Sequence, residues 1–361
     1  MIAYNESRWV VAVKYLKIFI FLIIMMFSFF FRAKLDISEV KETVLPKKIL
    51  TDEDYKRDMI DELGNIPIMM YHGIVNKEGT YQGNYDNDGY TRTLSAFRND
   101  LEMYYQKGYR MIKLDDYIHG RIDTEYGYSP IILTFDDGND NNILVDGIDD
   151  NGDIIINKYS AVYVLEEFKK KYPDYNVTAT FFVTDSLFNQ AEYNEKIVKW
   201  LIEHGYSIGN HTKHHDNLSK IDNDKIGNTV GYMYSKLNSI IGDNYSKIVA
   251  LPFGAPYNRD SDKFSYIIDS KYKEITYHTD AILRVGWEPE FSPFNKKVDM
   301  TYLKRCRAYD NDGKDFDIEY VFKMLDKNRY ISDGNKDTIV STKSKSDMIN
   351  NSYNLEVILY E

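Results

Sequence analysis

IILTFDDG, residues 131–138, is the stretch on which the reading of this chain turns. Its first five residues are apolar or β-branched without a break, the profile of a strand covered on both faces, and the run stops at Asp136-Asp137-Gly138, a turn sequence. A continuous apolar run, rather than an alternating one, is characteristic of parallel sheets. Two adjacent carboxylates at the end of a buried strand are electrostatically costly unless a cation or a proton separates their roles. A metal would do so, with one carboxylate binding it and the other left free as a base. A plain capping turn is the other reading of the same three residues.

Working outward, 66–71 (IPIMMY) follows Gly64-Asn65 and reads as another buried strand. Residues 94–108 carry apolar side chains at 94, 97, 101 and 104 or 105, a helical stripe closed by Gly108, and 109–114 then reads as a strand. Downstream, 161–172 predicts a helix, 177–184 a strand, 195–204 a helix stopped by Gly205, and 206–209 a strand. The stretches 248–251, 274–277 and 281–285 continue the strand series. The lysine-rich 263–274 reads as a solvated face. The acidic 146–153 lacks the glutamate that closes an EF-hand loop and reads as a β-hairpin insertion. Strands alternating with helices predict an α/β chain with a mainly parallel sheet, either open or closed into a barrel. In both architectures the site lies at the carboxyl ends of the strands.

Composition narrows the function. The 361 residues include 45 Lys+Arg and 56 Asp+Glu, a formal net charge of −11, which argues against nucleic acid as a partner. The single cysteine, Cys306, excludes an intrachain disulfide and any multi-cysteine zinc site, so a metal here must be held by His and carboxylate. Aromatic residues make up 15% of the chain, an excess that suits sugar handling and equally suits core packing. At the N-terminus, 18–31 (IFIFLIIMMFSFFF) is apolar but for Ser28, and Arg8, Lys14 and Lys17 precede it. These features predict an uncleaved signal anchor with its N-terminal side in the cytoplasm and the remainder exported, a single-pass membrane protein. Secretion after cleavage is the alternative. The expected organisation is therefore 1–34 as cytoplasmic tip and transmembrane segment, 35–65 as a charged stalk, and 66–361 as the globular domain. Oligomeric state is not legible.

A second strand end carries Gly209-Asn210-His211-Thr212-Lys213-His214-His215, with three of the chain's 7 histidines. One helical turn would place His211 and His215 on the same side. Two imidazoles and one carboxylate leave a position open for water, the arrangement of catalytic zinc sites, while exposed histidines without a function are the plainer reading.

Together LTFDDG (133–138), GNHTKHHDNLS (209–219) and ALPFGAPYN (250–258) resemble the polysaccharide deacetylases, carbohydrate esterase family 4 with the NodB-homology domain. The resemblance spans about 66 to 340. It implies a distorted (β/α) barrel that removes N-acetyl groups from a cell-surface polysaccharide with a divalent metal. Zinc suits the donors best, and cobalt or nickel would fit the same ligands. By the same resemblance Asp136 is the general base, Asp137, His211 and His215 hold the metal, and the backbone N–H of Phe253 stabilises the oxyanion. Two features depart from the pattern. Ala250 stands where the family usually has an arginine that orients the base, and no C-terminal Leu-x-His is evident. Met70-Tyr71-His72, at the end of the first strand, is similar to the branch that deacetylates poly-N-acetylglucosamine, in which such a histidine supplies the acid; His72 takes that role. Arg284 or Arg305 is the candidate replacement for the missing arginine, and Tyr257 and Trp287 are candidates to stack on sugar rings. The rival readings are a catalytically degenerate polysaccharide-binding protein and a de-O-acetylase or peptidoglycan deacetylase.

Overall fold

The computed structural model describes residues 50–76 and 85–361. The expected membrane segment and the first part of the expected stalk lie outside the described residues. Among the described residues no helix is long and apolar enough to cross a membrane. The last part of the expected stalk differs from expectation: the compact unit begins at Thr51, not near residue 66. A short helix, Asp52–Arg57, is capped by the Thr51 side chain, and Tyr55, Ile60 and Leu63 are buried. Glu62 is also buried, and its carboxylate accepts bonds from the Tyr330 hydroxyl (2.8 Å) and the Val340 N–H (2.9 Å). So few inward-facing apolar residues in so charged a stretch leave no periodic stripe for a sequence reading to find.

Eight parallel strands form one curled, half-barrel sheet: β1 (Ile68–Tyr71), β2 (Tyr109–Met111), β3 (Ser129–Phe135), β4 (Thr180–Val183), β5 (Ser207–Asn210), β6 (Ile248–Ala250), β7 (Ala281–Leu283) and β8 (Cys306–Arg307). Their order is β7-β6-β5-β4-β3-β1-β8, with β2 paired to the start of β3. Five longer helices accompany them: α1 (Leu94–Gln106), α2 (Ala161–Lys171), α3 (Asn194–Glu203), α4 (Asn223–Ile241) and α5 (Ile318–Asn328). Side chains alternate across a strand, and the core divides accordingly. Met69, Leu133 and Phe181 pack in the cluster with helix residues such as Phe97, Leu165, Val198 and Leu325. Their neighbours Ile68, Ile132 and Phe182 fall in a second cluster with Ala250, Leu283 and Leu303. Asp136, two residues on from Thr134 and four from Ile132, continues that second set at the carboxyl end of β3.

Two expectations need correction. Residues 274–277 do not join the main sheet: Ile275–His278 pairs antiparallel with Asp269–Tyr272. Only two residues separate those strands, and a parallel pairing needs a crossover of about a dozen. Residues 263–274 are not wholly solvated either, since the helix Lys263–Ile268 buries Phe264 and Ile267. The hairpin insertion does form, from Val145–Ile148 and Ile154–Ile156.

The segment 300–307 bonds to two strands in turn. Met300 and Leu303 exchange hydrogen bonds with Ile282 and Arg284 at β7, and Cys306 and Arg307 then pair with Met69 and Met70 of β1. Leu303 packs in the second cluster and Cys306 in the first, so Arg305, between them, has the opposite facing to Cys306. Cys306 is fully buried, and burial pushes its thiol far up. The native chain is expected to leave Ellman's reagent unreacted over minutes and to titrate one thiol on unfolding; stoichiometric reaction in native buffer would contradict this packing.

Candidate functional site

At the end of β3 the backbone turns sharply. Asp137 has φ 74° and Gly138 φ 63°, and a Cβ at Gly138 would lie 2.1 Å from the Leu187 carbonyl oxygen. Only glycine fits there, while aspartate is among the side chains that tolerate the left-handed region. The turn separates the two carboxylates, sending Asp136 into the barrel interior and leaving the Asp137 side chain at the rim, 37% exposed.

His211 and His215 come together by a different route from the expected helical turn. Thr212 and His215 both have positive φ (63° and 56°), so the segment is a hydrogen-bonded loop. The Asn210 side chain anchors it by donating to the Val230 carbonyl (2.9 Å) and accepting from the Thr212 N–H (2.9 Å). The Thr212 hydroxyl in turn accepts from the Asp216 N–H (2.7 Å). His214 points away and is exposed. The two ring centroids are 4.9 Å apart.

Asp137, His211 and His215 converge. Asp137 Oδ1 is 3.2 Å from His211 Nε2 and 3.4 Å from His215 Nε2, and their potential ligand atoms all lie within 4.8 Å of one another. His211 Nδ1 lies 2.8 Å from the Ala250 carbonyl. Donation of Nδ1–H to that oxygen fixes the tautomer and leaves the Nε2 lone pair facing Asp137. Two neutral imidazole nitrogens and one carboxylate oxygen, with a remaining position open to the cleft, are a donor set that fits a divalent metal.

Asp136 is 2% exposed and is gripped by Arg305, which is fully buried. Arg305 Nη1 and Nη2 donate to the two carboxylate oxygens at 2.7 and 2.6 Å, Nη1 also reaches the Thr134 hydroxyl (3.3 Å), and Nε donates to the Arg284 carbonyl (3.3 Å). Burial by itself would raise the Asp136 pKa, but the adjoining Arg305 guanidinium holds it well below the usual carboxylate range. Of the two candidate arginines, then, Arg305 is the one bonded to Asp136. The Arg284 side chain goes elsewhere, to the Val285 carbonyl (2.8 Å) and over the Tyr302 ring (4.7 Å).

His72 directly follows β1, with Nε2 3.9 Å from Asp136 Oδ2 and its ring edge-on to Tyr90 at 5.0 Å. Burial lowers its pKa, and the Asp136 and Asp137 charges oppose that shift. His72 Nδ1 is buried with no partner among the described residues. Phe253 has φ 58° and sets its ring edge-on to His215 at 4.5 Å. These residues line a cleft of about 610 Å³, and Tyr257 and Trp287 stand exposed on its walls. Sequence reasoning missed Tyr90, Tyr302 and Arg307, which line the same cleft. Arg307 had a signal: it stands two residues from Arg305, the spacing that repeats a face on a strand.

Residues 124–266 match the family model described as polysaccharide deacetylase, under half of the chain. A peptidoglycan-N-acetylglucosamine deacetylase of Bacillus cereus is 32% identical over 130 residues, 36% of this chain and 38% of that protein. The chain thus spans about two fifths of the length of that curated relative. The Streptococcus pyogenes deacetylase PplD, solved in complex with acetate, is similar over 71% of this chain and 97% of its own, at 18% identity and a TM-score of 0.49. A de-N-acetylase from Aggregatibacter actinomycetemcomitans is similar over 68% of this chain and 95% of its own, at 13% identity and a TM-score of 0.46. The family match and the B. cereus relative support a polysaccharide deacetylase domain in this stretch.

Proposed function

We propose that this chain is a metal-dependent hydrolase that removes N-acetyl groups from a polysaccharide of N-acetylhexosamine units. The observation that carries the reading is the division of labour between adjacent carboxylates: Asp137 faces two imidazoles, while Asp136 is held apart as an anion by Arg305. A binding protein has no need of a buried, guanidinium-oriented base beside a metal-ligand set. Arg305, just before β8, bonds to Asp136 and would stand in for the arginine that Ala250 lacks, which weighs against a degenerate site.

Asp137, His211 and His215 would hold the metal, zinc by donor preference, with cobalt or nickel as substitutes. When bound, the metal supplies a Lewis acid that polarises the acetamide carbonyl and acidifies water. Asp136, an anion across the working pH range, takes the proton of the attacking water. Arg305 keeps both carboxylate oxygens in place for that transfer. The N–H of Phe253, on a backbone turned by its positive φ, donates to the oxyanion as it develops. His72 delivers a proton to the departing amine, and the Asp136 charge offsets part of the burial that lowers its pKa. Tyr257 and Trp287 offer faces on which sugar rings stack.

Two finer readings follow. The His72 arrangement is the one expected of the branch acting on poly-N-acetylglucosamine, whereas the B. cereus relative acts, by its name, on peptidoglycan N-acetylglucosamine. The apolar run at 18–31, with basic residues before it, supports a catalytic domain anchored outside the cell membrane. The test is acetate release from chitooligosaccharides, poly-N-acetylglucosamine oligomers and peptidoglycan side by side. Chelator treatment is expected to abolish release and zinc to restore it; undiminished release from protein shown to be metal-free would refute the metal-dependent reading.

A further inference from the structure

Several arginines elsewhere in the fold sit on carboxylates: Arg92 on Asp100, Arg98 on Glu167, Arg110 on Asp174 and Arg259 on Asp299. Arg307, at the cleft, has no acidic partner among the described residues. It is nevertheless held in place. Its guanidinium carbon lies 4.3 Å from the Trp287 ring centroid and 5.3 Å from that of Tyr90, and Nη2 donates to the Tyr90 hydroxyl (3.3 Å). Gly89, with φ 74°, passes so close that a Cβ there would lie 3.2 Å from Arg307 Cδ. The Arg307 Nε is buried without an acceptor among the described residues, a state that is costly where it persists. Arg284, also in the cleft wall, likewise has an unpartnered buried Nε and no ion-paired carboxylate among the described residues.

The strand geometry says where this charge stands. Residues two apart on a strand face the same way and are separated by roughly 6–7 Å. Arg305 occupies the inner position and binds Asp136; Arg307 repeats that facing one step farther toward the carboxyl end of β8, where the cleft opens. This cation, without a carboxylate partner among the described residues, therefore stands in the same cleft as the reacting centre, flanked by two aromatic faces.

We propose that Arg307 is a specificity-determining residue that receives an oxyanion carried by the glycan, on the sugar being deacetylated or on its neighbour. The ligand class is thus an anionic N-acetylhexosamine polymer, carrying either a carboxylate or a phosphate. A planar guanidinium with free N–H groups, immobilised by aromatic contacts, suits both, and little side-chain entropy is left to lose on binding. The inference rests on the glycan-deacetylase reading above, but binding tests it apart from turnover.

The experiment measures equilibrium binding to zinc-loaded Asp136→Asn protein, which holds its ligands without consuming them. Three tetrasaccharides serve as probes: chitotetraose, its 6-phosphorylated form, and one alternating N-acetylglucosamine with its 3-O-lactyl ether. At least one anionic probe is expected to bind tenfold or more tightly than chitotetraose, with the preference shrinking as salt is raised. Which probe gains identifies the anion. Adding Arg307→Gln is expected to erase the preference, and Arg307→Lys to keep part of it. Equal affinity for all three probes, binding of none, or a preference that survives Arg307→Gln would overturn the proposal. Should the Arg307 variants fail to fold, the probe ranking of the chain with Arg307 intact still decides. Failure of the deacetylase reading shows separately, as no acetate released from any probe by the unsubstituted chain.

Discussion

Asp136→Asn is expected to slow acetate release by a factor of roughly 10²–10⁴, the usual contribution of a positioned general base, with zinc content unchanged. The amide keeps the shape of the carboxylate and its acceptor oxygen but takes no proton at neutral pH. Asp137→Asn is expected to fail differently, by losing bound metal, because Asp137 Oδ1 is the atom facing both imidazoles. Metal analysis beside kinetics separates the two. One complication is structural: the Asp136→Asn substitution leaves the fully buried Arg305 without its counter-charge, so assays belong well below the thermal midpoint of the variant. Turnover within threefold of the unsubstituted chain would remove Asp136 from the mechanism.

How much of this was legible in the sequence depended on whether a residue's partner lay nearby in the chain. Strands β1 to β7 were readable, most of them because both faces of a parallel sheet are covered, which leaves apolar runs such as IILTF at 131–135. β8 was not. Its stretch LKRCRA carries the site on one face, Arg305 and Arg307, and only the small Cys306 and Ala308 toward the helix-side core, so no apolar run marks it. The Asp-Asp and His-x-x-x-His pairs stood out because adjacent carboxylates and clustered imidazoles are costly or rare without a purpose. Their convergence followed from the rule that sites lie at strand ends. The conformation joining His211 to His215 did not follow, because residue spacing cannot tell a helical turn from a loop held by Asn210 and Thr212. The choice between Arg284 and Arg305 was beyond sequence as well. It depends on how 300–307 runs from β7 to β1, a pairing made by hydrogen bonds among residues far apart in the chain.

That crossing segment sets up the second large effect. Arg305→Met removes a fully buried cation that bonds both oxygens of an equally enclosed carboxylate. Breaking one side of a buried ion pair costs about 3–5 kcal/mol, most of it the penalty of the charge left behind. The variant's urea midpoint should fall accordingly, and the double variant Arg305→Met, Asp136→Asn should recover part of the loss because no orphan charge remains. The pH dependence gives a second readout that a merely structural arginine would not move. In the intact chain the folded pKa of Asp136 lies below its unfolded value, so its contribution to stability is fully present above the unfolded value and is lost as pH falls through the folded one. Without Arg305, burial acts unopposed by the nearest cation and the carboxyl pKa rises. The anion required as base then disappears at a higher pH, so the acidic limb of kcat/KM should move upward. Arg305→Lys, keeping the charge but not the two-pronged geometry, should restore much of the stability and less of the rate. An acidic limb that stays in place in Arg305→Met, with the midpoint also unchanged, would mean that Asp136 does not depend on this guanidinium, and that the arginine absent at 250 has no replacement at 305.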